Sequence, residues 1–100
     1  MTRLDLHAKL EEILGSDLVY FQPPETLKMQ YPCIVYKRDE GNMRHADNNP
    51  YHFEFGYNVT VIDRNPDSPI VDRMTTLPKC RFDRHFTANN FNHDVFTVYI

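Results

Sequence analysis

From Tyr51 to Ile62 the chain alternates without a break. Tyr51, Phe53, Phe55, Tyr57, Val59 and Val61 are apolar or aromatic, and His52, Glu54, Gly56, Asn58 and Thr60 stand between them. Successive strand side chains point to opposite faces, so this period of two predicts one strand with a buried face and a wet face. An apolar sheet face must be covered, and the two helical patterns elsewhere in the chain are the available cover. Gly56 falls inside the pattern and predicts a bulge or bend there.

The helical patterns are local and clear. Leu6, Leu10, Ile13 and Leu14 form one stripe within residues 3–14, with Thr2 or Asp5 as the cap at its start and Gly15 where a left-handed terminal residue is wanted. A second helix follows the turn Asn65-Pro66-Asp67-Ser68-Pro69. Pro69 suits its first position, Ile70, Val71, Met74 and Leu77 supply an apolar face, and Pro78 ends it.

Short strands are expected at Leu18–Phe21, closed by Pro23-Pro24, and at Tyr31–Tyr36, after a turn or short loop over 25–30. Residues 37–50 are the least hydrophobic part of the chain and read as a long exposed loop, a length that is uncommon unless functional or mobile. Two strands close the sequence, Cys80 to Thr87 and Asp94 to Ile100, facing each other across Ala88-Asn89-Asn90. The expected fold is a single α+β domain over 1–100, an antiparallel sheet with two helices on one face, in the order α-β-β-β-α-β-β.

Composition excludes more than it identifies. Thirteen per cent aromatic residues supply much of the core of so short a chain, since each ring buries on the order of 150–250 Å². No stretch approaches the roughly 20 apolar residues of a membrane span, and the N-terminus lacks the apolar segment of a secretory signal, so a cytosolic origin is expected. In that setting Cys33 and Cys80 read as free buried thiols. Fourteen acidic residues against eleven Lys plus Arg give no basic stripe of the kind a nucleic-acid binder carries.

Catalytic and metal patterns are sought without success. His85 and His93 flank the last turn, with Asp83 and Asp94 near them, but paired zinc-ligand spacing is missing and loop hydrogen bonds are the simpler reading. Asp63, Asn65 and Asp67 begin like a calcium loop, then Ser68 and Met74 stand where glycine and glutamate are required. Their plainer role is a turn. Asn58-Val59-Thr60 is a sequon without meaning in a cytosolic strand, three isolated glycines build no phosphate cradle, and neither cysteine has the surroundings of a nucleophile. The expectation is a protein that is not an enzyme and carries no cofactor or metal.

Three segments, taken together and in order, carry a likeness: Tyr31-Pro32-Cys33-Ile34-Val35-Tyr36, Val61-Ile62-Asp63-Arg64-Asn65-Pro66-Asp67-Ser68, and the run from Leu77 to Ile100. The chain resembles the tail terminator proteins of long-tailed bacteriophages, also called tail-completion or tail-to-head joining proteins. The resemblance implies a tail-tube-like fold and a virion protein of the head-proximal tail end, assembled in the host cytoplasm. Six copies would form a ring that caps the tail tube, ends its growth and joins the connector.

Partners implied are the chain itself, the tail-tube protein and the head–tail connector protein, with genomic DNA passing the lumen without specific binding. Such a ring needs a heterologous interface. Its candidate parts are the arm residues Lys37, Arg38, Asp39, Glu40, Arg44, His45 and Asp47, and the hairpin residues Arg84, His85, Asn89, Asn90 and His93. The bland reading of the arm is a solvated hairpin tip; in the ring, Asp39, Glu40 and Asp47 would place acid toward the lumen. Two alternatives stand beside this reading. One is a head-completion or stopper protein of the connector, which would be more barrel-like and less helical; the other is a small cytosolic ligand-binding domain, which would need a pocket with converging polar groups.

Overall fold

The computed structural model of the chain describes residues 2–39, 42–46, 49–54 and 56–99, with the backbone alone over 42–46 and 49–54. Helix α1 spans Arg3–Leu14 and opens with a capping box, because Thr2 and Asp5 satisfy each other. The Thr2 amide donates to Asp5 Oδ2 at 2.9 Å and the Asp5 amide donates to Thr2 Oγ1 at 3.2 Å. At the other end Gly15, at φ +82°, sends its amide to the Glu11 carbonyl at 2.8 Å. Left-handed backbone of this kind disfavours a Cβ, which explains glycine there. All four stripe residues are buried.

The strands are β1 (Val19–Phe21), β2 (Cys33–Arg38), β3 (Asn42–Ala46), β4 (Asn49–Glu54) and β5 (Gly56–Asp63), followed by helix α2 (Pro69–Met74), β6 (Cys80–Ala88) and β7 (Phe91–Tyr99). Ser68 caps α2, its Oγ accepting from the Ile70 amide at 3.3 Å, with Pro69 in the first turn as expected. Asn89 and Asn90 both have positive φ, 53° and 65°, which is what a two-residue primed turn between antiparallel strands requires.

Five strands form one sheet in the order β1-β2-β5-β7-β6. Taken with the helices, that sheet reads α-β-β-β-α-β-β along the chain, the α+β order expected. The core lies between the sheet and the helices. Leu6, Leu10, Ile13 and Leu14 of α1 and Ile70 and Met74 of α2 pack with Val19, Ile34, Tyr36, Tyr57, Val59, Val61, Phe96 and Val98. Within it Tyr36 is fully buried; its hydroxyl meets Nδ1 of His7 at 2.7 Å and accepts from Arg3 Nη1 at 3.4 Å.

Three expectations are corrected. First, the sheet is mixed rather than wholly antiparallel: β1 runs parallel to β2, while β2–β5, β5–β7 and β6–β7 are antiparallel. The residues between β1 and β2 are numerous enough to return the chain to the same end of the sheet, as a parallel pair demands and a tight hairpin cannot.

Second, the alternating run over 51–62 is divided between two strands with different partners. β4 pairs with β3 in a separate two-stranded sheet, whereas β5 joins the main one. Third, the 37–50 stretch is not one loop. Lys37 and Arg38 end β2, residues 42–46 form β3, and Asn49 and Pro50 open β4. The sequence over 42–46 carries no apolar alternation by which to see a strand.

Gly56 begins β5 beneath the ring of Tyr99. A Cβ there would stand 3.0 Å from the Tyr99 ring and 3.7 Å from Cβ of Asp39, so the close approach, not a bulge, accounts for glycine.

Candidate functional site

Alternation assigns the sheet residues to two faces. The helix-covered face carries Ile34, Tyr36, Val59, Val61, Phe96 and Val98; the neighbours between them face the other way and no helix covers them. Strand register sets this open face in rows. Lys37, Asn58, Thr97 and Arg81 lie side by side across β2, β5, β7 and β6, followed by Val35, Thr60, Val95 and Arg84, then Cys33, Ile62, His93 and Phe86.

The floor of this face is buried at Cys33, Ile62, Val95 and Thr97, while Lys37, Arg81, Arg84 and Phe86 along its margins are exposed. Within it lies a hollow of about 150 Å³ lined by Lys37, Asn58, Thr60, Asp83, Arg84, Phe86 and Val95. Asp83 reaches it because the β6–β7 register shifts between Phe82 and Arg84, leaving Asp83 as the extra residue of a bulge.

β6 is the outer strand on this side, and seven of its nine residues are exposed. Phe82 is 51% exposed and Phe86 40%. The bulge places these two rings on opposite faces: Phe82 meets Phe96 edge-on at 5.4 Å, and Phe86 stacks on His93 at 4.6 Å.

A second cluster forms at the end of the sheet where β2 and β7 begin and β5 finishes. The Tyr31 ring packs against Phe91 at 4.1 Å, and the Arg64 guanidinium lies 5.2 Å from the Phe91 ring. Asn92 donates from Nδ2 to the carbonyl of Arg64 at 3.1 Å and, more weakly, to that of Asp63 at 3.4 Å. A hollow of about 300 Å³ opens beside Tyr31, Pro32, Asp63 and Arg64.

The expected site residues separate across these surfaces. Among the arm residues, Lys37 belongs to the open face, Arg38 ends β2 with its amide donating to Gln22 Oε1 at 3.2 Å, and the Asp39 amide donates to the Gly56 carbonyl at 2.8 Å. Arg44 and His45 occupy β3, where the β3–β4 register shifts. Glu40 and Asp47 lie outside the described residues.

Among the hairpin residues, Arg84 sits on the open face with its guanidinium 5.7 Å from the Phe86 ring. Asn89 and Asn90 form the exposed turn. His85 donates from Nε2 to Asn92 Oδ1 at 3.2 Å, and His93 from Nδ1 to the Phe91 carbonyl at 3.2 Å. His85 pairs across the strands with Asp94, whereas His93 pairs with Phe86, so the two imidazoles point to opposite faces and share no ligand geometry.

The other sought chemistries resolve similarly. Asp63 Oδ1 accepts from the Asn65 amide at 3.1 Å and Asn65 Oδ1 from the Asp67 amide at 3.0 Å, so the calcium-like triplet is a pair of side-chain turns. Both cysteines are free; burial pushes the Cys33 thiol up to about 12 and raises that of Cys80, which leaves both protonated. Asp94 is raised by burial, with His85 and His93 drawing it partly back. No group of three metal-ligating side chains converges among the described residues, and among them no helix is long and apolar enough to cross a membrane.

Asn58, Thr60, Asp83, Arg81 and Phe86 become parts of one surface only through strand register and the β6 bulge, which sequence spacing does not display. The polar half of the Tyr51–Ile62 alternation contained the signal for Asn58 and Thr60, since it marked them as the wet face. Compared with known family models and with curated proteins, the chain matches none.

Proposed function

We propose that this chain is a structural ring subunit of a long-tailed bacteriophage, a tail terminator that caps the tail tube, halts its polymerisation and joins the tail to the head connector. The observation that carries the ring is the β6 edge: a nine-residue outer strand, most of it exposed, with the Phe82 ring exposed beside it. An exposed edge of this length invites pairing with another chain unless it is covered, and closure into a ring covers it in every copy.

The resemblance gains support from where its segments lie. Tyr31 and Pro32, Asp63 and Arg64, and Phe91 and Asn92 come from three separate stretches of sequence and meet at one end of the sheet. An open sheet with two helices also fits a terminator better than the barrel-like, less helical connector stopper.

Deleting the gene from its phage and imaging the lysate by electron microscopy tests the reading. DNA-filled heads beside separate tails of irregular, excessive length are expected. Heads emptied of DNA beside tails of normal length would transfer the protein to the connector, and intact virions would overturn both roles.

A further inference from the structure

The open sheet face gathers hydrogen-bond donors. Lys37, Asn58, Thr60 and Arg84 all line the same hollow of about 150 Å³, on strands β2, β5 and β6. The side chains of Lys37, Asn58 and Thr60 have no hydrogen-bond or ion-pair partner among the described residues, and the described contact of Arg84 is the Phe86 ring. Asp83 is the one carboxylate in the lining among the described residues. Beside the hollow, Arg81 sits at the far end of the row that begins with Lys37. Three strand spacings separate those two positions, on the order of 14 Å.

Two cations, an amide and a hydroxyl around one small hollow are the donor set that a phosphate group takes. A net charge of −3 conceals this arrangement, because a whole-chain sum does not record on which side of the sheet a charge lies.

We propose that the open sheet face at Lys37, Asn58, Thr60 and Arg84 binds the phosphodiester backbone of a nucleic-acid strand, weakly and without regard to sequence. Phosphate contacts position a strand and carry no base information. Phe86, stacked on His93, supplies an aromatic plane at the margin on which a base can rest. Contact through two or three cations is weak and salt-sensitive, and so compatible with a strand that moves over the surface rather than one that is held.

The test is a titration of the isotope-labelled protein with a thymidine 20-mer, followed by amide shifts and repeated over a series of salt concentrations. Shifts are expected at Lys37, Asn58, Thr60, Arg84 and Phe86, with log affinity falling against log salt at a slope between about −1.4 and −2.1. Lys37→Glu with Arg84→Glu should lower affinity at least tenfold. Asp83→Asn should raise it a few-fold, an effect that a purely structural role for Asp83 does not produce.

Lys9→Glu, an equal change of charge on α1, should leave affinity within about twofold of that of the unaltered protein, whereas Arg84→Glu alone should lower it. Equal losses from Lys9→Glu and Arg84→Glu would overturn the site, as would shifts mapping elsewhere or no binding. Inorganic phosphate binding as tightly as the oligonucleotide would also overturn it, since the site would then take a free anion and not a strand. None of these outcomes depends on the gene-deletion result, so the binding site and the terminator role stand or fall separately.

Discussion

The hydroxyl of Tyr36 lies 2.7 Å from Nδ1 of His7, which ties the centre of β2 to the first turns of α1 through a side chain that is fully buried. The two rings also meet edge-on at 5.5 Å. Burial raises the Tyr36 hydroxyl above its ordinary range, while Arg3 draws it back.

Removing that hydroxyl isolates the tie from the packing. Tyr36→Phe keeps the ring and leaves the His7 nitrogen and the Arg3 guanidinium without it. The expected loss is about 1 kcal/mol, the net worth of one such bond, or roughly 4–8 °C in Tm for a domain of this size. Urea unfolding at neutral pH checks it. A variant as stable as the parent would mean that the contact with α1 is made by packing alone.

Asp94 offers a pH prediction with a definite sign. Its carboxyl is raised by burial, so the folded state holds the proton more tightly than the unfolded chain, whose value is near 3.8. The contribution of Asp94 to stability is therefore fully present below the unfolded value and lost as pH rises through the folded one. Asp94→Asn, which cannot ionise, should be more stable than the parent at pH 7, and the advantage should shrink as pH falls. Melting curves from pH 3 to pH 7 measure it. An advantage that stays constant across that range would place the effect in packing or in the pairing with His85.

The parts of the fold that were legible in the sequence are those set by short-range chemistry. The capping box of Thr2 and Asp5, the stripe Leu6, Leu10, Ile13 and Leu14, the terminal Gly15 and the leading Pro69 are all complete within a turn or two of backbone. Partner choice is a different kind of information. The alternation through Phe55 continues from β4 into β5, yet β4 pairs with β3 and β5 with β2 and β7.

Alternation records which side of a strand is buried and says nothing of which strand lies beside it. Three residues of β1 cannot encode a parallel pairing for the same reason. The open face lies in this gap: sequence sets Lys37 among its neighbours in an arm, while register sets it beside Asn58 and in the same hollow as Arg84.

Thiol chemistry gives a direct reading of burial. Cys33 is fully buried on β2 and its thiol is pushed up to about 12, whereas Cys80 is half-buried at the start of β6. The thiolate is the reactive form. Iodoacetamide at pH 8 should therefore label Cys80 before Cys33, with Cys33 modified at the rate of global or local opening and both labelled fully in denaturant. Mass spectrometry of the native and unfolded protein distinguishes the two sites. Equal native rates would show that β2 opens as readily as the outer strand.

Phe82 separates assembly from folding. It is 51% exposed, and its packing against Phe96 is edge-on, at 5.4 Å, from the rim of the core. Exposed positions away from buried networks usually tolerate substitution within about 0.5 kcal/mol, and the partial contact with Phe96 sets a somewhat larger loss here, about 1 kcal/mol. Phe82→Asp should therefore still melt cooperatively. If the β6 edge is where one subunit receives the next, a carboxylate at position 82 must be desolvated on closure, which a ring contact does not tolerate. Supplying the variant to a phage lacking the gene should then give the same overlong tails as the deletion, whereas the parent gene restores normal ones. Normal tails from a correctly folded Phe82→Asp protein would remove the β6 edge from the interface and shift the search to the end of the sheet marked by Tyr31, Arg64 and Phe91.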